Sequence, residues 1–390
     1  MIYLDNAATS HPKPESVYET VDNVLRNFSA NPGRSGHKMA AEADRIIFEA
    51  RESIAKLFGV EQSDHIVFTP NATGALNLAI QGMLDPGDHC ITTTTEHNSV
   101  VRPLHFLSQC GVGVDKIRAT PEGVIDPERF RRTINLRTKL IVMTHASNVL
   151  GTITPVAEII RIAHEAGVPV LLDAAQTAGS VPINVAELGV DLLACPGHKG
   201  LYGPQGTGFL YIAPDVSLKP ILFGGSGSRS DHQDMPDFLP DRYEAGTLNT
   251  PGIAGLGAGV EFLLATGVEN IRKHEIRLCG KLLLGLSAIE GVRVFGVRDP
   301  SKRSSVVLFD IEGMDPAAVG DALDSDYEIA ARVGLHCAPD AHKTIGTYPT
   351  GGVRLSPGYF NTEDDVDATL EAVRAISAGC LENSLVRRMQ

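Results

Sequence analysis

The chain has 390 residues, more than one small core requires, and suggests one large domain joined to a smaller one. Apolar residues make up 43% and charged residues 21%, an ordinary balance for a soluble globular protein, and no apolar run reaches the length of a membrane span. A formal net charge of −13 leaves nothing to drive counterion release, so neither nucleic acid nor membrane is an expected partner.

The opening residues Met1-Ile2-Tyr3-Leu4-Asp5 read as folded protein rather than as a signal segment, and a cytoplasmic location is expected. The six cysteines, Cys90, Cys110, Cys195, Cys279, Cys337 and Cys380, show no C-x-x-C pair and no metal-ligand spacing. A reduced compartment, no structural disulfide and no metal are expected.

From about Ser63 to Ile212, short β-branched runs alternate with longer periodic stretches, the pattern of βαβ units and a parallel sheet. Strands are predicted at His65–Thr69, His89–Thr93, Leu140–Thr144, Val168–Asp173, Leu192–Cys195 and Gly208–Ile212. Helices are predicted at Ala75–Met83, Val100–Cys110, Pro155–Ala166 and Val185–Leu188. Phe223–Pro240, rich in Gly and Ser and then in Asp and Pro, reads as an irregular loop.

After Gly252 a long helical stretch (Ile253–Leu264, then Val268–Ile289) leads to a β–α–β–β–α pattern: Ser305–Asp310, Pro316–Leu323, Tyr327–Ala331, Gly352–Ser356 and Thr362–Ile376. The expected organisation is α/β: a large domain over residues 26–264, and a smaller α+β domain over 1–25 and 265–390.

Five strands are followed at once by polar residues: Asn71 to Gly74, Glu96-His97-Asn98, Ser147-Asn148, Asp173 to Gln176, and His198-Lys199. In an open α/β sheet such positions converge on one crevice. Asp173 closes an apolar strand, where a carboxylate is costly unless it caps a helix or meets a cation. Lys199 follows the neighbouring strand. An acid and an amine at one sheet edge match the needs of pyridoxal phosphate, a lysine for the Schiff base and an acid for the pyridinium nitrogen. Asn71-Ala72-Thr73-Gly74 opens a helix, and its N-terminus either is capped locally or receives a phosphate. His97 offers a flat imidazole able to stack on a ring and to take a proton. Asn148 and Gln176 suit a ring oxygen or a helix cap, and His198 suits a phosphate. Cys337, flanked by Gly334 and Pro339 and next to His336, reads as an exposed loop thiol, partly ionised and reactive. Arg354, on a strand shortly after it, suits bidentate binding of a substrate carboxylate.

Together these segments resemble the cysteine desulfurases of the class V aminotransferase family, within fold type I of the pyridoxal-phosphate enzymes. The resemblance runs from Tyr3-Leu4-Asp5-Asn6-Ala7-Ala8-Thr9 through Arg354-Leu355-Ser356 to Tyr359-Phe360-Asn361-Thr362. Its motifs include Ser147 to Gly151, Asp173 to Gln176, Gly197-His198-Lys199 and Glu244 to Asn249, and the run Arg332 to Ala338 is similar to the group II, selenocysteine-lyase-like branch. The resemblance implies Lys199 as Schiff-base lysine, Asp173 at the pyridinium nitrogen, His97 on the ring and Gln176 at the phenolic oxygen. Thr73, Gly74 and His198 are implied at the phosphate, with Thr247 supplied by a second subunit of a homodimer. Arg354 and Asn148 are implied at the substrate, L-cysteine or selenocysteine, with Asn6 and a partner-chain Arg34 nearby. Cys337 is implied as the acceptor of substrate sulfur, leaving alanine, and a further acceptor protein is implied downstream.

Two departures stand out. Pro196 occupies a position where the family usually offers a hydroxyl to the phosphate, and Ala338 to Val353, with Asp340-Ala341-His342-Lys343, reads as a longer loop after the thiol. Two rival readings differ in what Cys337 does. A C–S or C–Se lyase, aminotransferase or epimerase would use the same cofactor without the thiol. An idle scaffold would have no need of Lys199, Asp173, His97, Cys337 and Arg354 together.

Overall fold

A computed structural model describes residues 1–33 and 36–389, with side chains described through Cys380. The chain opens with β1 (Ile2–Tyr3) and two helices, α1 (Glu15–Asn27) and α2 (Lys38–Phe58). The large sheet follows: β2 (Ile66–Thr69), α3 (Ala72–Met83), β3 (His89–Thr93), α4 (Asn98–Gln109), β4 (Gly113–Ile117), α5 (Pro127–Thr133), β5 (Thr138–Thr144), α6 (Val156–Glu165), β6 (Val170–Asp173), α7 (Val185–Leu188), β7 (Leu192–Pro196) and β8 (Gly208–Ile212). Its strands lie in the order β2-β8-β7-β6-β5-β3-β4, parallel except for β8, which runs antiparallel to both neighbours.

Alternation along these strands divides the apolar residues between two cores. Ile141, Met143, Val170, Leu172, Leu193 and Phe209 face one layer; Leu140, Val142, Leu171, Leu192 and Leu210 face the other. Burial on both faces explains the near-continuous apolar runs that marked these strands in the sequence.

Helix α8 (Thr250–Thr266) packs Ile253, Leu256, Val260 and Leu263 into the core of the large sheet, and the smaller unit follows with α9 (Val268–Ser287), β9 (Val292–Phe295), β10 (Val307–Ile311), α10 (Pro316–Tyr327), β11 (Ile329–Ala330), β12 (Arg332–Gly334), α11 (Pro339–Ile345), β13 (Gly352–Leu355) and α12 (Glu363–Met389). Strands β12, β13, β10 and β9 form an antiparallel sheet, and β1 pairs in parallel with β11. Leu4 joins Leu278, Leu282, Phe309, Leu355 and Val373 in its core. Helix α1 instead lies along α8, so the strand and the helix of the opening segment serve different packing layers. In α8, Gly259 passes over the Leu201–Tyr202 backbone so closely that a Cβ there would sit 2.3 Å from Leu201 O. That helix therefore clamps the turn following Lys199.

The stretch after Cys337, expected as an extended loop, contains α11. Pro339 sits at its start and Gly346, at φ +80°, ends it. All six cysteines are free.

Candidate active site

Register brings the acid and the amine together. Asp173, at the end of β6, pairs with Thr144 of β5 on one side and Ala194 of β7 on the other. Directly after β7 the chain turns through Gly197-His198-Lys199, closed by hydrogen bonds from Gly203 N to Gly197 O (2.8 Å) and from Tyr202 N to Lys199 O (2.9 Å). Gly200 meets Gly179 backbone to backbone, where a Cβ on Gly179 would lie 2.1 Å from Gly200 O. The N-terminal segment holds the turn from the other side. Ser10 Oγ donates to Lys199 O (2.8 Å), while Thr9 Oγ1 (3.0 Å) and Lys13 Nζ (2.8 Å) donate to His198 O.

Asp173 and Lys199 line a cleft of ≈ 220 Å³ together with Thr73, His97, Ser99, Asn148, Gln176, Pro196, His198, Arg332 and Arg354. Its electrostatics are those of a dry site. Burial pushes Lys199 down to about 8, with Asp173 opposing and Arg354 and Arg332 reinforcing the fall. Burial raises the Asp173 carboxyl, against a hydrogen bond from Ala175 N (2.9 Å) and the Lys199 charge. Glu96, wholly buried, is pushed up to about 8 by burial; its Oε1 accepts from Thr93 Oγ1 (2.6 Å) and Thr144 N (3.1 Å). It is therefore an uncharged acid at neutral pH.

His97 differs from expectation in one respect. It caps α4, its Nδ1 accepting from Ser99 N at 3.1 Å, and burial, then the cations Lys199, Arg332, Arg102 and Arg354, push it down to about 4. A neutral ring whose Nδ1 lone pair is occupied carries its proton on Nε2. The ring can stack and donate, but it has no free lone pair with which to take a substrate proton.

At the head of α3 the local cap and the anion site coexist. Asn71 Oδ1 accepts from Gly74 N (2.9 Å) and Asn71 O from Ala75 N (3.2 Å), which leaves the amides of Ala72 and Thr73. Gly74 is thus committed to the cap and faces the neighbouring groove rather than the cleft. Thr73 Oγ1 meets Ser99 Oγ at 2.8 Å, and Ser99 Oγ also reaches His97 Nδ1 at 2.9 Å. Ser99, not singled out in the sequence, supplies a cleft hydroxyl where Pro196 has none. His198, which also lines the cleft, has a buried Nδ1 with no partner.

On the small-domain side, Arg354 is 1% exposed; its Nη2 donates to Asp5 Oδ1 (2.6 Å) and its Nη1 to Asn148 O (3.1 Å), leaving Nε unpaired. Asn148 Nδ2 donates to His336 O (2.7 Å), and Gln176 Nε2 to Ala7 O (3.1 Å). Asn6 spends its amide on Ser356 O (3.0 Å) and Asn361 Oδ1 (3.2 Å), bracing the same corner. Thr247 lines the apolar groove beside Ile221 and Leu222 and in one chain does not reach the cleft. Arg34 lies outside the described residues.

Cys337 is exposed, and its carbonyl accepts from Asn98 N at 2.8 Å, beside His97. The neighbour of its thiol is not His336, which turns inward and is 4% exposed, but Arg332, whose Nη2 lies 3.9 Å from Sγ. Adjacency in sequence misled here: His336 and Cys337 both adopt left-handed backbone, φ +50° and +57°, and the turn buries the imidazole while leaving the thiol residue exposed.

A type I pyridoxal-phosphate fold is defined by this sheet, with a lysine and an acid delivered to the same edge and a small domain closing over it. The chain belongs to the aminotransferase class-V family, which matches residues 2–369 and whose members are known pyridoxal-phosphate enzymes. It is 38% identical over 383 residues to a probable cysteine desulfurase of Methanothermobacter thermautotrophicus, covering 96% of this chain and 94% of the relative. Among solved structures, the apo cysteine desulfurase of Thermococcus onnurineus superposes with a TM-score of 0.90 at 34% identity, covering 97% of this chain and 95% of that one. The Escherichia coli cysteine desulfurase CsdA superposes with a TM-score of 0.85 at 31% identity, over 97% and 94% of the two chains. The cleft's own chemistry fits the family's cofactor. The unpartnered His198 Nδ1 and the free amides of Ala72 and Thr73 suit a phosphate, and Asp173, buried without a counter-ion in direct contact, suits a protonated ring nitrogen.

Proposed function

We propose that the protein is a pyridoxal-phosphate-dependent cysteine desulfurase that converts L-cysteine to L-alanine and collects the sulfur on Cys337. The observation that carries this reading is the exposed thiol at the rim of the lysine–acid cleft, with the guanidinium of Arg332, a cleft residue, 3.9 Å from Sγ.

In this reading Thr73, Ser99, His198 and the amides of Ala72 and Thr73 hold the phosphate. Asp173 keeps the ring nitrogen protonated, Lys199 holds the aldehyde carbon, Gln176 serves the phenolic oxygen and His97 stacks on the ring. Bound there, pyridoxal phosphate supplies an electron sink for the charge left at the substrate α-carbon. Arg354 and Asn148 orient the substrate carboxylate. Lys199, pushed down to about 8, spends part of its time neutral near physiological pH and accepts the α-proton. The Cys337 sulfur then attacks the substrate sulfur. The S–S bond forms as the substrate C–S bond breaks, the electron pair stays with the carbon, and two protons, one delivered to Cβ and one returned by Lys199 to the α-carbon, complete alanine. Cys337 is left as a persulfide for an acceptor protein. The reading also takes two copies of the chain, with Thr247 and Arg34 completing each other's clefts, in a cytoplasmic setting that keeps the thiols reduced.

The test is single-turnover sulfur release from L-cysteine by the holoenzyme. One alanine per site and a persulfide mapped to Cys337, both absent in Cys337→Ala, are expected. Pyruvate with ammonia, or a mutant as fast as wild type, would move the protein to the lyase or aminotransferase reading.

A further inference from the structure

Beneath the thiol turn runs a chain of buried polar side chains that the chemistry above does not use. His336 Nε2 lies 3.1 Å from Arg332 O, His336 Nδ1 lies 3.2 Å from His342 Nε2, and His342 Nδ1 lies 2.7 Å from Thr347 Oγ1. The three residues are 4%, 0% and 5% exposed. Their proton positions follow from one end. A carbonyl oxygen only accepts, so His336 Nε2 carries the proton. The neutral His336 ring then offers a lone pair at Nδ1, and His342 must donate to it from Nε2. That leaves His342 Nδ1 as an acceptor, filled by the Thr347 hydroxyl. Every link is satisfied in a single direction only, from Thr347 through both rings to the carbonyl of Arg332. Burial keeps both rings uncharged, pushing His336 down to about 3 and His342 to about 4. A proton added at His336 Nδ1 would face the N–H that His342 presents there, and one added at His342 Nδ1 would reverse the bond from Thr347.

The relay ends where the thiol needs support. His336 and Cys337 hold consecutive left-handed conformations, φ +50° and +57°, which non-glycine residues keep only when their surroundings compel it. Arg332, whose carbonyl terminates the relay, also carries the guanidinium beside Cys337 Sγ. The other end is tied to the large sheet, since α11, which carries His342, is fixed by Lys116–Asp340 (2.6 Å) and by Thr344 Oγ1 to Thr94 Oγ1 (3.2 Å). We propose that Thr347, His342 and His336 form a positioning relay that aims the Cys337 thiol by holding its strained turn and the Arg332 backbone in register. The importance of the thiol rests on the function proposed above; the geometry of the relay does not. The departure noted after Cys337 thereby gains a role, as the segment that supplies Thr347 and His342, the first two members.

Thr347→Val removes the first donor with almost no change of shape, and Thr347→Ser keeps it. Three measurements on the holoenzymes decide the matter. These are persulfide formation on Cys337 in a single turnover, α-deuterium exchange into L-alanine, which needs Lys199 but no thiol, and backbone hydrogen exchange over residues 331–345. In Thr347→Val, persulfide formation is expected to slow roughly tenfold, the factor one unsatisfied buried acceptor supplies. Its α-exchange should stay within about twofold of wild type, and its 331–345 segment should exchange faster. Thr347→Ser should match wild type in all three. Unchanged persulfide formation in Thr347→Val, equal slowing of both reactions, or a serine variant no better than valine would overturn the relay. If wild type forms no persulfide, the functional reading falls and hydrogen exchange alone decides: faster in valine but not serine upholds the relay, and no change refutes it.

Discussion

Replacing Lys199 with methionine should stabilise the cofactor-free protein while removing its chemistry. Burial takes the amine from 10.5 to about 8. A lysine with a lowered folded-state pKa binds fewer protons in the folded than in the unfolded chain between those two values, so wild-type stability rises as pH climbs from 8 to 10.5. Below pH 8 both states are charged and the folded protein carries the whole penalty; well above 10.5 neither is charged and the penalty is gone. At ~1.4 kcal/mol per pH unit the penalty is ~3 kcal/mol. Methionine removes it, but also removes the positive charge that helps Asp173 remain ionised, so the net gain at pH 7 is ~1–3 kcal/mol. For a chain of this size that corresponds to a rise in Tm of roughly 1–3 °C. Calorimetry of both apoproteins at pH 7 and pH 10 is the assay. A Lys199→Met protein no more stable than wild type at pH 7, or a gain just as large at pH 10, would refute the reasoning.

Two further outcomes follow from the same cleft. Glu96, raised to about 8 by burial, keeps in the folded state a proton that the unfolded chain loses near 4.5, so wild-type stability should fall as pH rises from 4.5 to 8. Glu96→Gln, with no such titration, should gain about 3 kcal/mol on wild type between pH 5 and pH 8, and parallel denaturation curves at the two pH values would contradict this. Arg354→Lys replaces a planar fork, already sharing Nη2 with Asp5 and Nη1 with Asn148 O, by one ammonium that cannot serve both Asp5 and a substrate carboxylate. A fall of ~10²-fold in kcat/KM for L-cysteine, chiefly through KM, is expected in steady-state kinetics, and an unchanged KM would exclude Arg354 from the carboxylate site.

How far the sequence reached depends on whether a residue's place is set locally. Asp173 and Lys199 were legible because each follows a strand apolar on both faces, and a parallel sheet has one edge to which such residues can go. His89–Thr93 and Gly208–Ile212 were predicted to the residue for the same reason. Strand β4 escaped because Gly113-Val114-Asp115-Lys116-Ile117, on the sheet edge, is half polar, and β9 because only Val294 and Phe295 of its four residues are buried. The small domain's share of the cleft depends on pairings across hundreds of residues. Asp5 meets Arg354 only because β1 joins β11, the Asp5–Ser356 bridge continues that pairing, and β13 packs beside β12. Arg332 becomes the neighbour of the thiol only through two successive left-handed residues, which no propensity announces at His336 and Cys337. What local pattern misses is where strain is stored, and here that is the turn carrying the thiol. The same turn is where a buried relay from a different helix is built to hold it, so the least legible part of the site is also its most constrained.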